Sequence, residues 1–210
     1  MANNIRMIVI INYKMGNLES VKNMLKRIGH DSIISSDPLQ IAQAHKLILP
    51  GVGAFDAGMD ALNELGLIDV LNRKVLQEKT PVLGICLGMQ LLTKSSQEGR
   101  GLGLGWIDAQ TEKFSFNQGK GLKIPHMGWN TVSIKKESKL MAGFGADARF
   151  YFVHSYHVVC RQSQDILSTT HHGYDFVSAI ERDNILGVQF HPEKSHAYGM
   201  HLLKNFCESY

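Results

Sequence analysis

Pro81-Val-Leu-Gly-Ile-Cys-Leu-Gly-Met-Gln-Leu-Leu92 sets one cysteine between an apolar strand, Pro81 to Ile85, and a helix starting at Leu87 and running to Leu92. Glycines two residues before and after Cys86 allow a tight backbone turn and leave room beside the sulfur. A thiol there leaves the C-terminal edge of a sheet and meets a helix N-terminus, where the dipole favours thiolate. The bland alternative is a small cysteine filling a core gap. The flanking glycines favour a nucleophile.

Upstream of this elbow, strand and helix alternate. Met7–Ile11 reads as a buried strand, and Asn17–Ile28 carries Leu18, Val21, Met24, Leu25 and Ile28 at helical spacing before Gly29. Ser32–Ser35 is a short strand. Asp37-Pro38 is an N-cap followed by proline at the first helical position. Lys46–Leu49 is the next strand, Pro50-Gly-Val-Gly53 a loop, and Phe55–Leu62 and Leu67–Glu78 are helices. The second of these is expected to bury Ile68, Val70, Leu71 and Val75. Continuous apolar strands alternating with helices predict an α/β fold, with a largely parallel central sheet flanked by helices.

Downstream of about Leu104 the pattern shifts to short alternating segments: Trp129–Lys135, Arg149–Val153, Tyr156–Cys160, Ile166–Thr170, Phe176–Glu181 and Ile185–Phe190. These predict added antiparallel strands in the C-terminal half, closed by a helix at Ser195–Ser209. Without repeats or linkers, residues 1–210 read as one domain.

Composition narrows the function classes. A chain of 210 residues with 44% hydrophobic and 20% charged residues is an ordinary globular one. A net charge of +3 with scattered Lys and Arg predicts no nucleic-acid stripe. Three dispersed cysteines, Cys86, Cys160 and Cys207, predict neither a disulfide framework nor a zinc site and fit a reducing cytoplasm. The apolar run at Met7–Ile11 is too short for a signal segment or a membrane span.

A cysteine nucleophile needs a base and a group to orient that base. Of ten histidines, His30 and His45 flank surface elements, and His171-His172 reads as an exposed hairpin pair. His191 follows the strand Ile185-Leu-Gly-Val-Gln-Phe190, so it too emerges at a strand end, where open α/β sheets build their sites. Pro192 stiffens the backbone. Glu193 lies two residues on and so on the same side of an extended segment, where its carboxylate can orient the imidazole.

With these segments in view, Gly84-Ile-Cys-Leu-Gly-Met-Gln-Leu-Leu92 and Phe190-His-Pro-Glu-Lys-Ser195 make the chain resemble the class I (triad) glutamine amidotransferases over essentially its whole length. Leu49-Pro-Gly-Val-Gly-Ala-Phe55, Pro125-His-Met-Gly-Trp-Asn130 and Tyr151-Phe-Val-His-Ser-Tyr156 resemble the branch that forms the glutaminase subunits of imidazole glycerol phosphate synthase. The resemblance implies a flavodoxin-like fold. It also implies hydrolysis of glutamine to glutamate and ammonia through Cys86, His191 and Glu193 by way of a thioester. The oxyanion would be held by backbone at Leu87 and at Gly51, Val52 and Gly53. Gln90, Glu98, Ser155 and Tyr156 would hold the substrate, with no metal and no cofactor. Ammonia would pass to a (β/α)8-barrel cyclase partner in a heterodimer serving histidine biosynthesis, and Asn17, Met127, Trp129 and Lys194 are the interface candidates.

One segment departs from the branch. Where its pattern has Asp-Tyr-Gly-x-Gly-Asn, this chain has Asn12-Tyr-Lys-Met-Gly-Asn17. Local charge becomes more positive, and lysine takes positive φ less cheaply than glycine. That leaves as alternatives a paralogous subunit feeding ammonia to surface-polysaccharide sugar synthesis and, from another class, a free-standing cysteine hydrolase.

Overall fold

The computed structural model describes residues 7–116 and 122–210. The first half contains β1 (Ile8–Ile11), α1 (Leu18–Arg27), β2 (Ser32–Ser35), α2 (Pro38–Ala42), β3 (Lys46–Gly51), α3 (Phe55–Glu64), α4 (Leu67–Asn72), β4 (Val82–Cys86) and α5 (Leu87–Leu91). Then come β5 (Ser95–Ser96), β6 (Ala109–Lys113), β7 (His126–Thr131), β8 (Ser133–Ile134), β9 (Arg149–His154) and β10 (Tyr156–Cys160). The chain continues through β11 (Ile166–His172), β12 (Tyr174–Arg182), β13 (Ile185–Val188) and α6 (His196–Ser209).

The main sheet runs β2-β1-β3-β4-β13-β12-β10-β6-β5, with β11 and β8 branching from β12. Its β2-to-β13 half is parallel, and antiparallel pairing begins where β12 meets β13. Side chains of β1 alternate between two cores. Ile8 and Ile10 pack with Val21 and Leu25 of α1 and Leu202 and Phe206 of α6. Val9 and Ile11 pack with Phe55, Leu71, Leu87 and Leu91 on the other face. Each such fully buried side chain contributes about 1.5–3 kcal/mol, so both faces of the sheet are held by apolar burial. A separate two-stranded ribbon, β7 with β9, lies beside this sheet.

The parallel sheet and the antiparallel additions match expectation, but several details differ. β3 does not break at Leu49: Pro50 and Gly51 stay in the ladder opposite Ile85 and Cys86. Proline is tolerated there because β1 pairs with β3 only as far as Ile48, so no neighbour on that side needs its N–H. The helix after Leu67 winds into a π turn at Arg73–Gln77, closed by Glu78 N–H donating to Arg73 O at 2.9 Å. Leu67, Val70, Leu71 and Val75 are buried, and Ile68 is only partly covered. β5 and β6 were not expected, because Ala109 and Thr111 bury too little apolar surface to mark a strand. β13 ends at Val188, and Gln189 keeps one bond to β12, its N–H donating to Ser178 O at 2.9 Å, before the chain reaches His191.

Candidate active site

Adjacent β3, β4 and β13 end at one edge of the sheet and deliver the site. Cys86 caps α5 with φ 53° and ψ −110°, a conformation costly for any residue with a side chain and held here by its surroundings. The turn is as tight as the glycines promised. A Cβ on Gly88 would lie 1.7 Å from Leu49 O, and one on Gly84 would lie 2.8 Å from the Gly88 carbonyl. The elbow therefore requires glycine for close approach.

His191 is locked in place by the ribbon. Its N–H donates to Tyr151 O at 2.9 Å, and its carbonyl accepts from Ser195 Oγ at 2.7 Å. Ser195 Oγ in turn accepts from Tyr151 N–H at 3.0 Å. The imidazole Nδ1 meets Glu193 Oε1 at 2.8 Å, with both side chains almost wholly buried. Burial opposes the imidazolium, but the nearby Cys86 sulfur and the Glu193 carboxylate outweigh it and lift His191 to about 10. Glu193 occupies Nδ1; the other nitrogen, Nε2, is buried and has no hydrogen-bond partner among the described residues. Such a ring holds its proton at neutral pH, in the form that can donate to a leaving amine.

A cavity of about 330 Å³ opens on Cys86 and His191, and its walls include Val52, Gly53, Leu87, Glu98, Ser155 and Tyr156. Gln90 also lines it, but its amide nitrogen is committed, donating to Tyr156 O at 3.1 Å and to Gln189 Oε1 at 3.1 Å. Glu98 Oε2 accepts from Phe55 N–H at 2.9 Å, which ties the acid to the start of α3. Thus the expected nucleophile, base, orienter, loop and substrate-side residues all come together. A larger depression of about 1030 Å³ along Lys135–Ala142 and Tyr210 contains none of them. Among the described residues no cluster of three or more His, Cys, Asp or Glu is placed to hold a metal.

The interface candidates divide into two groups. Met127 and Trp129 project from β7, 62% and 44% exposed. Trp129 stacks on His196 with ring centroids 5.6 Å apart, and Lys194 Nζ lies 5.8 Å from the Tyr151 ring centre. Tyr151 faces Trp129 across the ribbon, so these form one exposed patch. Asn17 is also exposed but lies on another element, just before α1, where its Oδ1 accepts from Ser20 Oγ. The departing segment is self-consistent: Lys14 takes φ 65°, and its N–H donates to Asn12 Oδ1 at 3.1 Å.

Two residues near the nucleophile escaped sequence reasoning. Gln189 is fully buried and donates from Nε2 to Cys86 Sγ at 3.7 Å. Its signal was a lone amide at the end of an otherwise apolar run. Tyr13 is fully buried, and its hydroxyl has no partner among the described residues and presses on Gly51, where a Cβ would come within 2.2 Å of it. Burial first, and the Cys86 charge second, push its phenol far up. No feature of the sequence separates it from a core tyrosine.

Comparison with known proteins bears on this geometry. The family model described as glutamine amidotransferase class-I matches residues 9–209. The chain is 59% identical over 202 residues to a Methanococcus maripaludis protein named imidazole glycerol phosphate synthase subunit HisH 2, covering 96% of this chain and 99% of that one. It is 51% identical, with the same coverage, to the Pseudomonas aeruginosa protein of that name. Among solved structures, PurLQS from Thermotoga maritima superposes with a TM-score of 0.73 at 14% identity, covering 96% of this chain and 97% of that one. Another, described as a glutamine amidotransferase, superposes with a TM-score of 0.70 at 21% identity, covering 95% and 97%. At such identities these two establish the fold alone.

Proposed function

This chain belongs to the class I glutamine amidotransferases, enzymes that hydrolyse glutamine, and from that premise we propose that it is the glutaminase subunit of an imidazole glycerol phosphate synthase. The observation that carries the reading is Cys86 at the elbow, facing a buried imidazole that Glu193 holds at 2.8 Å. The names of the relatives at 59% and 51% identity favour this assignment over the surface-polysaccharide alternative. The whole chain, 1–210, acts as one amidotransferase domain, a reading supported by the match over 9–209.

In the proposed reaction Cys86 sulfur attacks the carboxamide carbon of glutamine. The resulting oxyanion meets the Leu87 N–H and backbone from Gly51 to Gly53. His191 gives its proton to the departing ammonia, leaving a γ-glutamyl thioester, and then takes a proton from water as that water attacks the thioester carbon, which expels the Cys86 thiolate and releases glutamate. Glu193 orients the ring throughout. Glu98, Ser155 and Tyr156 hold the amino-acid end of the substrate, while Gln90 shapes the wall between them.

Ammonia in open water at neutral pH is mostly protonated and non-nucleophilic, so a partner must receive it. The exposed patch of Trp129, Met127, Tyr151 and Lys194, with Asn17, is the proposed docking face for a (β/α)8-barrel cyclase. The proposed compartment is the cytoplasm. It is consistent with three unpaired cysteines, and among the described residues no helix is long and apolar enough to cross a membrane.

Cys86→Ser in the complex tests this. Glutamine-dependent product formation should fall on the order of a thousandfold or more, while synthesis from added ammonium persists. Loss of both activities would make Cys86 structural and sink the assignment.

A further inference from the structure

The hydrogen bond to Cys86 comes from a side chain whose orientation is set by its neighbours in the cavity wall. At the outer end, Asn130 Nδ2 donates to His171 O at 2.9 Å, and its Oδ1 accepts from Thr131 N–H at 2.9 Å, so its amide cannot be reversed. Asn130 Nδ2 also lies 3.1 Å from His126 Nε2, which must therefore accept. His126 Nδ1 then carries the proton and donates to His154 Nε2 at 3.0 Å. His154 Nδ1 donates onward to Tyr156 O at 2.8 Å. Burial first, and neighbouring His172 second, lower His126 to about 4. Burial likewise holds His154 well below its ordinary range, so both rings are neutral and each has one donor to place.

The same carbonyl fixes the inner end. Tyr156 O can only accept, so the Gln90 group 3.1 Å away is its NH₂. Gln90 Nε2 lies 3.1 Å from Gln189, which must present oxygen there. Nothing is then left for the sulfur but the Gln189 N–H, at 3.7 Å. A buried glutamine ordinarily has two amide orientations; here the Tyr156 carbonyl, acting through Gln90, leaves one.

We propose that Gln189 is a thiolate-holding residue whose amide is locked with its N–H toward Cys86, stabilising the sulfur anion before glutamine binds. The titratable groups facing this sulfur are His191 from the end of β13, with Glu193 behind it, Tyr13 from the end of β1, and Glu98 in the same cavity. Of the neutral groups, Gln189 donates to the sulfur directly. A hydrogen bond to the charged form favours that form. This deepens the proposed function, since it rests on Cys86 being the nucleophile.

The test is the pH dependence of iodoacetamide alkylation in the intact chain, followed by mass spectrometry on the peptide carrying Cys86. Burial pushes Cys160 and Cys207 up to about 12, which keeps them slow over the useful range. Gln189→Met keeps the volume and removes the donor. Its alkylation midpoint should rise by about one pH unit, slowing the reaction on the order of tenfold below the wild-type midpoint. Gln90→Leu removes the group that orients Gln189 and should give a smaller rise of the same sign. A structural role would lower the melting temperature without moving the midpoint.

An unchanged or lowered midpoint in folded Gln189→Met overturns the proposal. Should that variant not fold, an unchanged midpoint in Gln90→Leu does so. Glutamine hydrolysis by the wild-type protein with its cyclase is a separate readout, so failure of the amidotransferase reading would be seen independently.

Discussion

Gly88→Ala sets two physical effects of opposite sign against each other. Gly88 lies in α5, where alanine is favoured by about 1 kcal/mol over glycine on helix propensity alone. Its backbone does not require positive φ, so the conformation itself raises no objection. Packing does. The added Cβ would sit 1.7 Å from Leu49 O and 2.8 Å from Leu49 C, both backbone atoms of β3 that cannot rotate away. Ordinary carbon–oxygen contact is about 3.3 Å or longer, so α5 and β3 must separate by roughly 1.5 Å. Overpacking of this kind costs about 3 kcal/mol, at the upper end of its usual range, and propensity returns about 1. The net loss of about 2 kcal/mol should lower the melting temperature by about 4–8 °C in a chain of this size. Urea unfolding followed by circular dichroism measures it. Gly66→Ala is the control: Gly66 has φ 64° and nothing within 4 Å of its added Cβ. It should lose only the left-handed penalty of about 1 kcal/mol. If Gly88→Ala proved as stable as wild type or more so, the close approach of α5 to β3, and with it the geometry assigned to the elbow, would be refuted.

Stability should also fall on mild acidification. His126 is lowered from 6.5 to about 4, and His154 further below its ordinary value, both chiefly by burial, so the unfolded chain takes up their protons first. Their contribution is complete above pH 6.5 and is lost as pH falls toward 4, at about 1.4 kcal/mol per pH unit for each ring. His191, raised to about 10, acts in the opposite direction: its contribution is complete below pH 6.5 and drains away between 6.5 and about 10. Urea midpoints at pH 5, 7 and 9 should therefore peak near neutrality, and a stability unchanged from pH 7 to 5 would contradict the neutral histidine pair. Lys14→Gly should raise stability by about 1 kcal/mol, because exposed Lys14 sits at φ 65° and gives up no burial when truncated. Differential scanning calorimetry would show it as a rise of about 2–4 °C, and a fall would mean that the lysine makes a contact the left-handed turn alone does not explain.

Much of this site was legible because its chemistry is local. Gly84, Cys86 and Gly88 lie within five residues, and His191 and Glu193 within three, so spacing alone carried the elbow and the oriented base. The parallel sheet was legible for a similar reason, since β1, β3 and β4 are buried on both faces and read as apolar runs, with Lys46 at the start of β3 the one charge among them. β6 was not, since its polar Gln110, Thr111 and Glu112 give no apolar period, and its place in the sheet comes from pairing with β10.

Sequence by itself determined which side chains could act, because nucleophile, base and orienter are properties of residue type and near spacing. Only the tertiary structure decided how they are held. The Asn130–His126–His154 chain, the Tyr156 carbonyl and the Gln90–Gln189 pair come from β7, β9, β10, α5 and the end of β13. Donor and acceptor roles across such distances are set when strands pair and amides are buried against one another. No local pattern in the chain encodes that the last free N–H points at the sulfur.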